Sequence, residues 1–146
     1  METSPIVGSE LEALLPQRFP FLFVDRIDHY ELGVSVKGAK NVAKREPLLV
    51  PLGDDYWPEA FVVESLGQLA IALFNLNTTN ATPPKILLGG VSEVEFHSAF
   101  PMGCKIDLYV NVDKHLEDSF IISGYAEVDN ERKLTMGALV AKIVVE

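Results

Sequence analysis

The segment from Pro58 to Phe74 limits the possible folds more than any other part of this chain. Proline is tolerated in the first turn of a helix. From Glu59 to about Asn75 there is no further proline, and Gly67 is the one glycine. Ala60, Phe61, Val62, Val63, Leu66, Leu69, Ala70, Ile71, Ala72, Leu73 and Phe74 put apolar side chains on nearly every face of that helix. A helix apolar all round has to be enclosed by other protein. The apolar run is broken by Glu64 and Gln68, and it reads as too short and too polar to span a bilayer.

The rest of the chain supplies the enclosure. Ile106, Leu108, Val110 and Val112 alternate with Asp107, Tyr109 and Asn111, the period of a half-buried strand. Lys85 to Leu88, Val91 to Phe96, Phe120 to Val128 and Lys133 to Val145 read as further strands. Gly89-Gly90, Pro101-Met102-Gly103 and Asp129-Asn130 are the turn signals between them. Upstream, Ser9 and Glu12 have the spacing of a capping box. A short helix should run to about Leu15, where Pro16 stops it. Phe19 to Asp28 reads as a strand or an extended segment entering one, Val34 to Val42 as a strand, and Glu46 to Trp57 and Asn75 to Pro84 as loops. The expected architecture is one α+β domain over residues 1–146, an antiparallel sheet wrapped around one long central helix. Such a sheet leaves edge strands open, and dimerisation is a natural way to close them.

The net charge of −9 argues against nucleic-acid phosphates as partners. Lys37, Lys40, Lys44 and Arg45 form a local basic segment. It reads as solvated lysines on a strand face, or as a dock for an acidic partner. Cys104 is the single cysteine, so no intrachain disulfide forms, which fits a reducing cytoplasm. Met1 to Gly8 has no secretory signal pattern.

Glu64 is the leading candidate for chemistry. Glutamate is rarely buried unless it is paired or functional, and burial raises a carboxylate pKa, which suits general acid–base work. Gln68 follows one turn later on the same face. The alternative is a structural carboxylate bonded to Gln68 or to backbone. His29, His97 and His115 are far apart, lack metal-ligand spacing and read as strand-surface residues, with His97 nearest a cleft. Cys104 has no neighbour in sequence to activate it. Asp54, Asp55 and Tyr56 sit in the loop before the helix, a place where pocket-lining residues occur. No phosphate-binding or nucleophile-elbow motif is present, so no cofactor is implied.

Four stretches resemble one family. Leu15-Pro16-Gln17-Arg18-Phe19-Pro20-Phe21-Leu22-Phe23-Val24-Asp25-Arg26-Ile27 is similar to LPHRYPFLLVDRV of the β-hydroxyacyl-acyl carrier protein dehydratases. Asn41-Val42 with Glu46-Pro47 resembles KNVTxNEPFF. Pro58 with Phe61 to Gln68 resembles MPGVLIVEALAQ, and Val94 to Gly103 resembles ARFKRPVVPGD. The resemblance implies a hot-dog fold and paired subunits with active sites at their interface. It also implies a substrate thioester on acyl carrier protein or coenzyme A. It assigns the catalytic carboxylate to Glu64, and substrate contacts to Gln68, Tyr56, Glu59, Ala60, Gly89 and Gly90. In that family a histidine from the other subunit acts with the glutamate to move the α-proton and the β-hydroxyl. The histidine does not carry over: its position is Val50, and residues 48–57 contain none. Glu59 stands where the family has a glycine whose N–H meets the thioester carbonyl.

Three readings follow. The chain is a dehydratase-like subunit whose histidine comes from a similar partner. Alternatively it is a hot-dog thioesterase working through Glu64 alone. Or it is a non-catalytic acyl-binding or scaffold subunit, with Glu64 structural.

Overall fold

The structure is a computed structural model and describes residues 4–49, 55–76 and 85–144. The apolar run forms helix α2 (Glu59–Leu76), preceded by a short α1 (Gly8–Glu12). Around α2 curls one antiparallel sheet of six strands: β1 (Arg26–Glu31), β2 (Ser35–Asn41), β4 (Lys85–Phe96), β6 (Lys105–His115), β7 (Ser119–Val128) and β8 (Glu131–Val144). Their order is β1-β2-β6-β7-β8-β4. Two-residue strands β3 (Tyr56–Trp57) and β5 (Phe100–Pro101) pair separately, beside the start of the helix. This is the sheet-on-helix architecture that the resemblance implies.

Alternation drives the enclosure. Ile106, Leu108 and Val110 of β6, Phe120, Ile122 and Ala126 of β7, and Leu134 and Met136 of β8 all turn inward and are buried. They close on Val62, Leu66, Leu69 and Leu73 of α2. In β8 the inward phase then shifts to Leu139 and Ala141. Ala138, at φ 49°, lies where Gly137 and Ala138 together stand opposite the single Ser123 of β7, between Ile122 and Gly124. Asp129 and Asn130 both have positive φ, the two-residue turn that joins β7 to β8.

Several local expectations need correction. Val7 rather than Ser9 is the N-cap of α1, no side chain caps it, and the helix ends at Glu12. Ser9 lies inside the first turn, where its carbonyl accepts from Ala13 N–H at 3.0 Å. Of the two readings of Phe19 to Asp28, the segment entering a strand is the one found: β1 begins at Arg26, because the backbone groups of Phe21 and Phe23 bond to a helix side chain instead of a strand. Gly89-Gly90 does not separate two strands but lies inside the single strand β4. Lys40 is buried, since β2 alternation turns it inward with Val36 and Gly38. Asn75 belongs to α2 and is buried there. At 18 residues α2 is long and apolar enough to cross a bilayer by those two measures, contrary to the reading of the shorter run, but here the sheet wraps it.

The one long edge is β4. From Gly89 to Phe96 every residue is exposed, Val91, Val94 and Phe96 among them. At the opposite flank the sheet edge is partly covered, because Ile6 pairs with Ile27 through two hydrogen bonds of 2.9 and 3.0 Å.

Strands β6 and β7 approach closely at Gly124, where an added Cβ would fall on the carbonyl oxygen of Tyr109. Backbone cannot move aside as a flexible side chain can. Gly124→Ala should therefore cost about 1–3 kcal/mol, the range for overpacking a filled interior, read as a lower urea midpoint with unchanged slope.

Candidate active site

Glu64 sits half-buried on α2, not fully enclosed as its apolar neighbours suggested. Its carboxylate accepts a hydrogen bond from Gln68 Nε2 at 3.1 Å. Gln68 is buried, and its amide is fully engaged. Nε2 also donates to the Phe21 carbonyl at 3.0 Å, while Oε1 accepts from Phe23 N–H at 2.8 Å. One side chain thus ties the 21–23 segment to the helix and fixes the orientation of the carboxylate one turn away.

An aromatic wall stands behind this pair. Phe23 stacks on Phe61 at 5.0 Å and meets the Trp57 ring edge-on at 5.5 Å, and Trp57 contacts Phe61 at 5.1 Å. Lys40 Nζ lies 5.2 Å from the Trp57 ring centre and 3.9 Å from carboxylates of both Asp25 and Glu46. Each carboxylate also caps backbone: Asp25 accepts from Asn41 N–H and Glu46 from Ala43 N–H, both at 2.6 Å. A buried ammonium is tolerable only with such partners. The stretches 18–27, 40–47 and 57–68, separate in sequence, converge here.

No protein-family model matches the chain. Among individual proteins, the 3-hydroxyacyl-[acyl-carrier-protein] dehydratase FabZ of Nitratidesulfovibrio vulgaris is 32% identical over 126 residues, covering 84% of this chain and 81% of the relative. FabZ of Nitratiruptor is 30% identical over 128 residues, covering 82% and 86%. The chain belongs to the FabZ dehydratase family. Its fold is also that of the dehydratase heterocomplex ApeI:P from Xenorhabdus doucetiae, with TM-score 0.80, 17% identity and coverage of 93% and 91%. The fluoroacetyl-CoA thioesterase FlK shares the fold more distantly, with TM-score 0.65, 10% identity and coverage of 80% and 90%.

Within this FabZ-type domain the expected site residues fall into two groups. Glu64 and Gln68 are joined directly. Gly89 and Gly90 follow Leu88, which packs on Gly67 so tightly that a Cβ there would lie 2.6 Å from Leu88 Cδ1. That places the Gly-Gly stretch beside the helix turn of the Glu64–Gln68 pair. Glu59 and Ala60 are exposed in the first turn of α2, and Tyr56 is exposed in β3 opposite Pro101. No hydrogen bond links these three to Glu64. Asp54 and Val50 lie outside the described residues.

None of the three histidines bonds to Glu64. His97 Nε2 lies 3.3 Å from Thr135 Oγ1, His115 packs edge-on against Phe120, and His29 pairs with Lys37 across β1 and β2. No group of three or more metal-ligating side chains occurs among the described residues. Sequence reasoning missed Asn75, although its spacing from Glu64 and Gln68 repeats the same helix face.

Gln68→Leu keeps the volume but strands the Phe23 N–H and the Phe21 carbonyl. The expected loss is about 2–3 kcal/mol of stability, the desolvation penalty of an unpaired buried group, measured by urea unfolding. Cys104 yields a second expectation. Burial pushes its thiol above the ordinary 9.0, against the smaller opposing effects of a backbone hydrogen bond and Lys133. The folded chain then holds the thiol proton more tightly than the unfolded chain. That contribution to stability is complete below the unfolded value and is lost as pH climbs through the folded one. Alkylation of Cys104 by iodoacetamide at pH 8 should accordingly run slower in the folded chain than in the chain unfolded in urea.

Proposed function

We propose that this chain is the glutamate-bearing subunit of a composite dehydratase site for 3-hydroxyacyl thioesters carried by acyl carrier protein. The histidine of that site comes from a second subunit of similar fold. The observation that carries the reading is the Glu64 carboxylate, held by the fully engaged Gln68 amide, in a chain whose own histidines do not reach it. A half-exposed acid with a fixed orientation is suited to a reaction completed from outside the chain. The exposed β4 edge supports this, since it offers unpaired backbone groups and apolar side chains to another strand. The ApeI:P heterocomplex, similar in fold, is by its name a dehydratase built from two components.

Dehydration breaks the α-C–H bond and the β-C–O bond of the substrate. The electron pair of the C–H bond becomes the second bond of the enoyl double bond, and the hydroxyl leaves as water after taking up a proton. One group must accept a proton and another must supply one. Glu64 fills one role and the partner's imidazole the other. Gln68 acts by positioning, since it touches Glu64 rather than the reacting atoms.

The test is hydration of a four-carbon trans-2-enoyl thioester by this chain mixed with a histidine-bearing partner, followed as loss of enoyl absorbance. The mixture should turn over, and Glu64→Gln in this chain should cut the rate about 10²–10⁴-fold. Equal rates with Glu64→Gln would sink the proposal. Acyl-coenzyme A hydrolysis by this chain alone, abolished by Glu64→Gln, would replace it with the thioesterase reading.

A further inference from the structure

Strand β4 ends the strand order, so among the described residues its far side is hydrogen-bonded to no other strand. Val94 and Phe96 stand opposite Met136 and Leu134, buried residues of β8, and so belong to the inner face of the sheet. They are nevertheless 41% and 49% exposed, which leaves the inner face unfilled along this edge. Glu95 stands opposite Thr135 in the outer row, and Glu93, two residues earlier, shares that row. Neither carboxylate takes part in an ion pair among the described residues.

Open backbone groups and an unfilled apolar face invite a further strand, and the charge on the outer row decides which one. A second copy of this chain, met antiparallel about a two-fold axis, sets same-face residues of the one strand against each other. In a pairing centred on Glu93, the two Glu93 side chains meet. Centred on Val94, each Glu93 faces Glu95 of the second copy. Centred on Ser92, the two Glu93 are diagonal neighbours. Like charges so placed destabilise a strand pair, whereas opposite charges support it. The net charge of −9 on each copy adds repulsion in the same direction. Aligned from Val94, the stretch ARFKRPVVPGD has arginine where this chain has Glu95 and lysine where it has His97. The edge of this chain is therefore opposite in sign to that pattern at Glu95.

Resting on the composite-site reading above, we infer that the outer row of β4 selects the partner by charge: it accepts a similar subunit whose edge strand carries Lys or Arg opposite Glu93 and Glu95, and it rejects a second copy of this chain. The inner-face residues Val94 and Phe96 supply apolar contact to any subunit that pairs here, so they give affinity without choice. The two carboxylates supply the choice, because their sign changes attraction into repulsion.

The probe is a basic-edge copy of the same chain, Glu93→Lys/Glu95→Lys, mixed with the unsubstituted chain. Sedimentation equilibrium of each alone and of the mixture should show the mixed dimer about tenfold tighter than either homodimer. The difference should shrink when salt is raised from about 0.05 M to about 0.5 M, since exposed charges are screened. Glu10→Lys/Glu31→Lys changes the net charge equally at exposed positions off this edge, and it should give no such gain. Self-pairing of the unsubstituted chain as tight as the mixed pairing, an equal gain with Glu10→Lys/Glu31→Lys, or no association in any mixture each overturns the inference. Should the lysine variant fail to fold, Glu93→Gln/Glu95→Gln removes the repulsion without adding charge. Self-association of that variant no tighter than that of the unsubstituted chain is equally fatal. Hydration of the four-carbon enoyl thioester keeps the two ideas apart. Selective pairing without Glu64-dependent turnover overturns the dehydratase reading alone. Glu64-dependent turnover with a histidine-bearing partner, but without selective pairing, overturns the charge selection alone.

Discussion

A helix that is apolar on every side can exist in water only inside something else, and the architecture of this chain follows from that requirement. Helix α2 is enclosed by a sheet whose strands turn every second residue toward it. The enclosure is tight enough that Gly38 and Gly67 serve as landing points. A Cβ on Gly38 would lie 3.0 Å from Leu69 Cδ1, and one on Gly67 would press on Leu88. A twisted sheet keeps its inward phase around such a helix with the help of local irregularities, and β4 carries one against β8 while β8 carries one against β7.

Polar groups on such a helix are expensive, so each one found there has a partner or a purpose. Gln68 uses both its oxygen and its nitrogen, and in doing so holds the 21–23 segment, which belongs to no strand. Glu64 uses Gln68 and is left half-buried. Asn75 satisfies only half of its amide. Along one stripe of helix the polar groups thus pass from an acid with capacity to spare, through structural support at Gln68, to an amide whose oxygen has no partner among the described residues.

Much of this was legible in the sequence, because it rests on short-range periodicity. The helix, the alternation in β6 and the Asp129-Asn130 turn need only neighbouring residues to be recognised. The Glu64–Gln68 pair was legible for the same reason, being one helical turn apart. What escaped depends on contacts between distant residues. Phe19 to Asp25 has the composition of a strand, yet the Phe23 N–H is claimed by a side chain 45 positions away. Lys40 looks like a surface lysine until Asp25, Glu46 and Trp57 are brought around it. The Gly-Gly of β4 has the appearance of a turn, and only its pairing with β8 shows it to be an irregularity within one strand.

Trp57 is the chain's single tryptophan, and it is buried where the 21–23 segment, the first turns of α2 and the Lys40 ammonium meet. Indole emission is sensitive to a nearby charge and to the entry of water. The chain therefore carries its own optical gauge of whether the segment that steadies Glu64 is seated, legible without any label and set apart from the exposed β4 edge.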